Sequence, residues 1–335
     1  EDLYKKSYAE PEVQSTILKS YLKKKDKASY DKLLSLMEQD LPLDSKNINS
    51  IFRFRKDSLQ LVGELFPKIL QFSAIEEYKN PIYELLAKVV DSNLVKPKAY
   101  KKYKNQIITD GKIEVKRYLG RNNFSSYNNN SSDLESYVTI IFPYREDKQA
   151  KDFFEKLIQS DDDIAINNYF TLLTEADEQI PLALSQKTIL NEKNHWALAS
   201  ALDDKGLLTE KFKNKISQES IAKSRVFTRA RFSEERDSIS FLTKKEILTD
   251  NNVAVDVYVF KLKRTSSYGD NEFLHYVAFQ KPEKEALALK IYDESSTNGI
   301  RLNDSKTEEE FVEDIEKLVS HKTRKRINSS YDFEF

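Results

Sequence analysis

The chain has 335 residues, 39% hydrophobic and 33% charged, with a formal net charge of -1 at pH 7; the length suits two domains or one elongated repeat array. Near-neutral charge argues against a wholesale polyanion binder, and 6 Gly with 8 Pro are too few for a sandwich or propeller of many tight turns. No apolar run approaches the ~20 residues of a membrane span, and the lack of cysteine excludes disulfides, thiolate metal sites and cysteine nucleophiles.

The sequence opens at Glu1 rather than Met and shows no signal peptide, which reads as a processed form or an excised fragment. The segment EPEVQSTILKSYLKKKDKASYDKLLSLMEQDLPL predicts two helices. Pro11 suits a first helical position. Val13, Ile17, Leu18, Tyr21 and Leu22 form one apolar stripe, and Tyr30, Leu33, Leu34 and Met37 the next. Asn80–Pro81 reads as an N-cap and first-turn proline opening a helix striped by Ile82, Leu85, Leu86, Val89 and Val90. The Asn/Ser-rich run near 122–133 is a surface loop. Phe153, Phe154, Leu157 and Ile158 stripe one later helix, Ile166, Tyr169, Phe170 and Leu173 another, and a further pair surrounds Trp196 and Leu202. Each unit carries one narrow apolar face that stacking must cover, and the units recur about every 35–45 residues, as in HEAT-type arrays.

From about Arg225 the period changes. DSISFLTKKEIL, NNVAVDVYVFKLKR, NEFLHYVAFQK and EALALKIYD read as four strands, with RTSSYGDN as a hairpin loop. In the second strand Val253, Val255, Val257 and Val259 share one face, and the apolar side then moves to Tyr258, Phe260 and Leu262. Either the middle of that strand is covered on both faces or a bulge resets its phase. Thr307 and Glu310 have capping-box spacing before a helix striped by Phe311, Ile315, Leu318 and Val319.

The expected fold is therefore mainly α: an irregular α-solenoid of HEAT-like helical hairpins over 1–224, then a small α+β domain over 225–335. That domain, an antiparallel sheet plus one helix, is expected to cap the array.

Enzyme signatures are missing: there is no GxGxxG, P-loop, GxSxG or HExxH. Of three histidines, His195 falls on a helical apolar stripe and reads as packed, and His321 reads as a cation near a helix C-terminus. His275 is placed to approach Asp256 across a hairpin, which would be a general-base pair or an ordinary cross-strand pair. Asp161, Asp162 and Asp163 read as a helix cap rather than a calcium loop. No catalytic residue, metal site or cofactor is assigned. Between Lys96 and Arg121, lysines including Lys98, Lys101, Lys102 and Lys104 interleave with Tyr100 and Tyr103. Such a stretch can contact phosphates and stack bases, or simply be a solvated helix face with tyrosines turned inward. Tyr331, Phe333 and Phe335 alternate with Asp332 and Glu334, a strand pattern able to add to a sheet edge in this chain or in a partner.

Taken jointly, the N-terminal pair PEVQSTILKSYLKKKDKASYDKLLSLMEQDLPL with DNNVAVDVYVFKLKR and EFLHYVAFQK resembles the repeat region and C-terminal cap of long TraB/GumN-type proteins from Bacteroidetes-like bacteria. The resemblance implies a catalytic-type α/β domain upstream, metal-dependent and peptidase-like in some branches, and an extracytoplasmic location, periplasmic or outer-membrane associated. The Gly/His and Glu motifs of that domain do not occur in this chain, so no catalytic residue carries over, and a cytoplasmic location stays open. The expected function is a non-catalytic scaffold or accessory subunit binding another protein, through Lys98, Tyr100, Lys101, Lys102, Tyr103 and Lys104 or through Tyr331, Phe333 and Phe335. The alternatives are a non-catalytic segment of a larger TraB/GumN-type hydrolase, and nucleic-acid binding through 96–121. Oligomeric state is left open.

Overall fold

The computed structural model describes residues 10–24, 26–39, 63, 66, 68–119, 133–208, 212, 214–230, 232, 237–266, 269–281, 299–302 and 306–320. The chain divides into two compact units, Glu1–Leu184 and Ser185–Phe335. The predicted surface loop near 122–133, apart from Asp133, and the predicted strand 285–293 lie outside the described residues.

The first unit is helical. α1 (Pro11–Lys24) pairs with α2 (Lys27–Gln39). Asp26 caps α2, its carboxylate accepting from Ser29 N–H at 2.8 Å and from the Ser29 hydroxyl at 2.7 Å. The buried side of α1 holds Leu18 and Leu22 together with Gln14 and Ser15, while Val13, expected on that face, is exposed.

α3 (Glu76–Asp91) starts five residues before the position read from Asn80–Pro81, so Pro81 lies inside it. The main-chain carbonyl of Ile75 accepts from Tyr78 and Lys79. Tyr78 is fully buried, so burial extends the helix past a proline that locally favours a start.

α4 (Pro97–Tyr100), a 3-10 turn (Lys101–Tyr103) and α5 (Lys104–Leu119) follow, then α6 (Asp133–Ile141), α7 (Lys148–Gln159) and α8 (Asp163–Glu175). Asp162 caps α8 by accepting from Ala165 N–H at 3.0 Å, the role read from the acidic triplet. α6 packs against α3, α5 and α8, and α5 against α7. This alternation sets α3, α6 and α8 in one row and α5 and α7 in another, the two-layer stacking of helical hairpins. The predicted stripes lie at the seams: Phe153, Phe154, Leu157, Ile166, Tyr169, Phe170 and Leu173 are buried.

Gly111 lets α5 approach its neighbours. A Cβ there would stand 3.0 Å from Ile141 Cδ1 and 3.1 Å from both Phe153 Cε2 and Tyr137 Cδ1. All three side chains are buried, so they have little room to yield. Gly111→Ala gains about 1 kcal/mol of helix propensity, against an overpacking cost of about 1–3 kcal/mol. Overpacking is expected to prevail by about 1 kcal/mol. A thermal melt at or above wild type would show that the seam is looser than these distances require.

The second unit is built on a sheet of order β1-β2-β3-β4, from β1 (Asp237–Leu248), β2 (Ala254–Ser266), β3 (Gly269–Gln280) and β4 (Gly299–Arg301). All pairings are antiparallel, and β2–β3 runs in unbroken register from Val255↔Gln280 to Ser266↔Gly269. A bulge does occur, but in β1 between Phe241 and Thr243. β2 keeps its phase because both of its faces are covered. Val255, Val257 and Val259 join Leu274, Tyr276 and Ala278 under α9 (Glu308–Ser320), through Phe311, Val312, Ile315 and Val319. Tyr258, Phe260 and Leu262, on the opposite face, are equally buried.

That second face is covered by α10 (His195–Asp204) and α11 (Gln218–Arg229). Trp196 stacks on Phe279 with ring centroids 6.2 Å apart, and the Tyr258 hydroxyl donates to Gln218 Oε1 at 2.6 Å. The 224/225 boundary read from the sequence follows the turn from helix to strand, whereas α10 and α11 belong to the compact unit of the sheet. The Thr307 capping box forms, with Thr307 N–H donating to Glu310 Oε2 at 2.7 Å and Glu310 N–H to Thr307 Oγ1 at 3.3 Å.

Candidate functional site

The stretch from Lys96 to Leu119 divides into an inner and an outer side. Tyr100 is fully buried; its hydroxyl donates to the Ile140 carbonyl at 3.1 Å and its ring meets Tyr144 edge-on at 5.7 Å. Burial pushes the Tyr100 hydroxyl well above its ordinary range. Tyr103 is half-buried, with the Lys102 ammonium 4.8 Å from its ring centroid.

Several cations hold helices together. Lys104 pairs with Asp147 at 2.6 Å and Lys112 with Asp152 at 2.5 Å, tying α5 to α7. Asp152, hydrogen-bonded by Lys112 and then Lys156, is held down at about 2. Arg117 pairs with Glu114 at 2.8 Å and lies 3.7 Å from Glu76.

Lys98, Lys101, Lys102 and Lys116 are exposed and, among the described residues, form no ion pair. Asn105, Thr109, Ile113 and Lys116 continue the exposed side along α5 at three-to-four spacing, and Ile113 is 47% exposed. The resulting face is cationic with an apolar residue in it, and its first tyrosine is turned away. The sequence reading found the lysines but missed Ile113, since one apolar residue between Thr109 and Lys116 makes no stripe.

The other sequence-derived candidates separate. Asp256 lies opposite Phe279, and His275 opposite Phe260. Four residues of register part the two, about 13 Å along a strand, so neither the general-base pair nor the ordinary cross-strand pair forms. Asp256 instead pairs with Lys244 at 3.0 Å, and its Oδ1 is buried without a hydrogen-bond partner. His275 has Phe273 beside it, ring centroids 6.3 Å apart.

His195 is buried, its Nδ1 2.7 Å from Ser220 Oγ and its Nε2 3.0 Å from the Ile189 carbonyl. The carbonyl can only accept, so Nε2 carries the proton and Nδ1 accepts from Ser220. The Ser220 hydroxyl also donates to the Ser217 carbonyl at 2.8 Å, so its one hydrogen is shared between that oxygen and Nδ1. Nδ1 ties α10 to α11 and Nε2 ties it to the segment that precedes it, and burial lowers the pKa of His195.

Glu135 has a raised pKa from burial, with the Asp162 and Asp91 carboxylates adding to it. Among the described residues, however, no group of three or more His, Cys, Asp or Glu could hold a metal ion. No described helix is long and apolar enough to cross a membrane. His321, Tyr331, Phe333 and Phe335 lie outside the described residues. Comparison with protein-family models, curated proteins and solved structures gives no match.

Proposed function

We propose that the chain is a non-catalytic scaffold or accessory subunit that binds a partner protein through the exposed face formed by Lys98, Lys101, Lys102, Ile113 and Lys116. The observation that carries this reading is the separation of lysines from tyrosines. Single-strand binding combines a cationic groove with aromatic faces on which bases stack. Here Tyr100 is fully buried and Tyr103 half-buried under Lys102. Cations surrounding an exposed apolar residue instead suit an acidic protein surface, with electrostatics aiding encounter and an apolar contact aiding retention. The resemblance to TraB/GumN-type proteins adds an extracytoplasmic location to the proposal, as the setting in which such a partner would be met.

The test is charge reversal at Lys98, Lys101 and Lys102 together. All three are exposed, so the melting temperature should hold. Affinity for a partner captured by the wild-type chain is expected to fall by roughly tenfold or more, as like-charge contacts at an interface cost several kcal/mol. Undiminished binding by the folded triple variant would remove this face from the proposal.

A further inference from the structure

We propose that Ser220 is a nucleophile that accepts an acyl group from activated esters, with His195 as its general base. This goes beyond the scaffold reading and does not rest on it. An activated serine needs a base within hydrogen-bond reach and a third group that orients the base. Ser220 Oγ stands 2.7 Å from His195 Nδ1, and His195 Nε2 stands 3.0 Å from the Ile189 carbonyl. That carbonyl does what a carboxylate does in a triad: it fixes the ring and keeps the proton on Nε2, which leaves the Nδ1 lone pair facing the serine.

The two ends of the pair differ in access. His195 is 4% exposed, whereas Ser220 is half-buried, so a reagent can meet the oxygen while the base behind it stays dry. Burial lowers the His195 pKa, which keeps the ring neutral and able to take a proton at neutral pH. The serine is held in place by Ser217, the N-cap of α11, whose hydroxyl oxygen accepts from the Ser220 N–H at 3.0 Å. The Ser217 carbonyl is a second acceptor for the Ser220 hydroxyl, at 2.8 Å. Turning the hydrogen from that carbonyl to Nδ1 needs only rotation about the serine C–O bond. In the acylation step Oγ bonds to the acyl carbon, and the bond from that carbon to the leaving alkoxide breaks. The Oγ proton passes to Nδ1 and from there to the alkoxide.

The test treats the full chain with 4-nitrophenyl acetate across a range of pH and follows acetylation of Ser220 by peptide mass. Acetyl is expected on Ser220, at a rate that rises with pH and levels off past an inflection below pH 6.5, where His195 loses its proton. His195→Gln is expected to slow acetylation of Ser220 by roughly 100-fold or more, its melting temperature showing that the fold is kept. A histidine that only packs α10 against α11 would leave no inflection of this kind. Three results would overturn the proposal, and two of them need no variant: acetylation of the wild-type chain that spares Ser220; a Ser220 rate that keeps climbing with hydroxide and shows no inflection below pH 6.5; or equal Ser220 rates in the wild-type chain and folded His195→Gln.

Discussion

Replacing Arg264 by Met is expected to cost about 3 kcal/mol of stability, the lower end for breaking a buried ion pair. Asp237, whose side chain is 2% exposed, opens β1 and lies opposite Arg264 in register. The guanidinium grips it with both arms, Nε to Oδ1 at 3.1 Å and Nη2 to Oδ2 at 3.2 Å. Nη2 also donates to the Ala230 carbonyl at 2.5 Å, directly after α11, where a cation favours the helix dipole. Without Arg264 the buried carboxylate loses both of these charge-assisted hydrogen bonds. Lys at this position recovers only part of the loss, because an ammonium does not match the planar two-pronged contact. Changing both partners, Arg264→Met with Asp237→Leu, should cost far less than the single change. Denaturant unfolding of the single and double variants measures this directly. A single-variant loss under about 1 kcal/mol would place the pair among solvent-screened surface bridges.

Lowering the pH is expected to remove stability through His275. Burial, and next the nearby Arg264 charge, push its pKa down from 6.5 to about 4. Between those values the unfolded chain binds the proton and the folded one does not, so stability rises with pH across that window. The contribution is fully present above pH 6.5, declines as pH falls below it, and is exhausted near pH 4. Its size follows from the shift, about 3 kcal/mol at 1.36 kcal/mol per unit. His275→Leu should flatten stability between pH 6.5 and 4. His195, also lowered by burial, leaves a smaller acid limb behind. Identical wild-type and His275→Leu profiles would show that the ring reaches water in the folded state.

The features legible in the sequence were those whose physics is local. The caps at Asp162 and at Thr307 with Glu310 formed as read, because they depend on residues three apart. The seams around Phe153 and Leu173 followed from helical spacing. The switch of apolar side in β2 admitted two explanations, and only the helices on both faces decide between them. Long-range consequences were not legible. Asn80–Pro81 carries a strong local start signal, overridden by the burial of Tyr78. Alternation told which face Asp256 and His275 occupy but not their register, which pairing along the whole hairpin sets. Lys104 and Lys112 looked equivalent to Lys101 and Lys102, and only the stacking of α5 on α7 engages them with Asp147 and Asp152.

The measurement that tests the scaffold account most directly is capture by the tagged chain from its source cells, with and without nuclease, at low and high salt. The account predicts one protein recovered in stoichiometric amount, resistant to nuclease and retained as salt rises. It also predicts that this protein is lost when Lys98, Lys101 and Lys102 are reversed. Recovery of nucleic acid alone, released steeply with salt as counterion exchange requires, would contradict it and make 96–119 a phosphate-binding face.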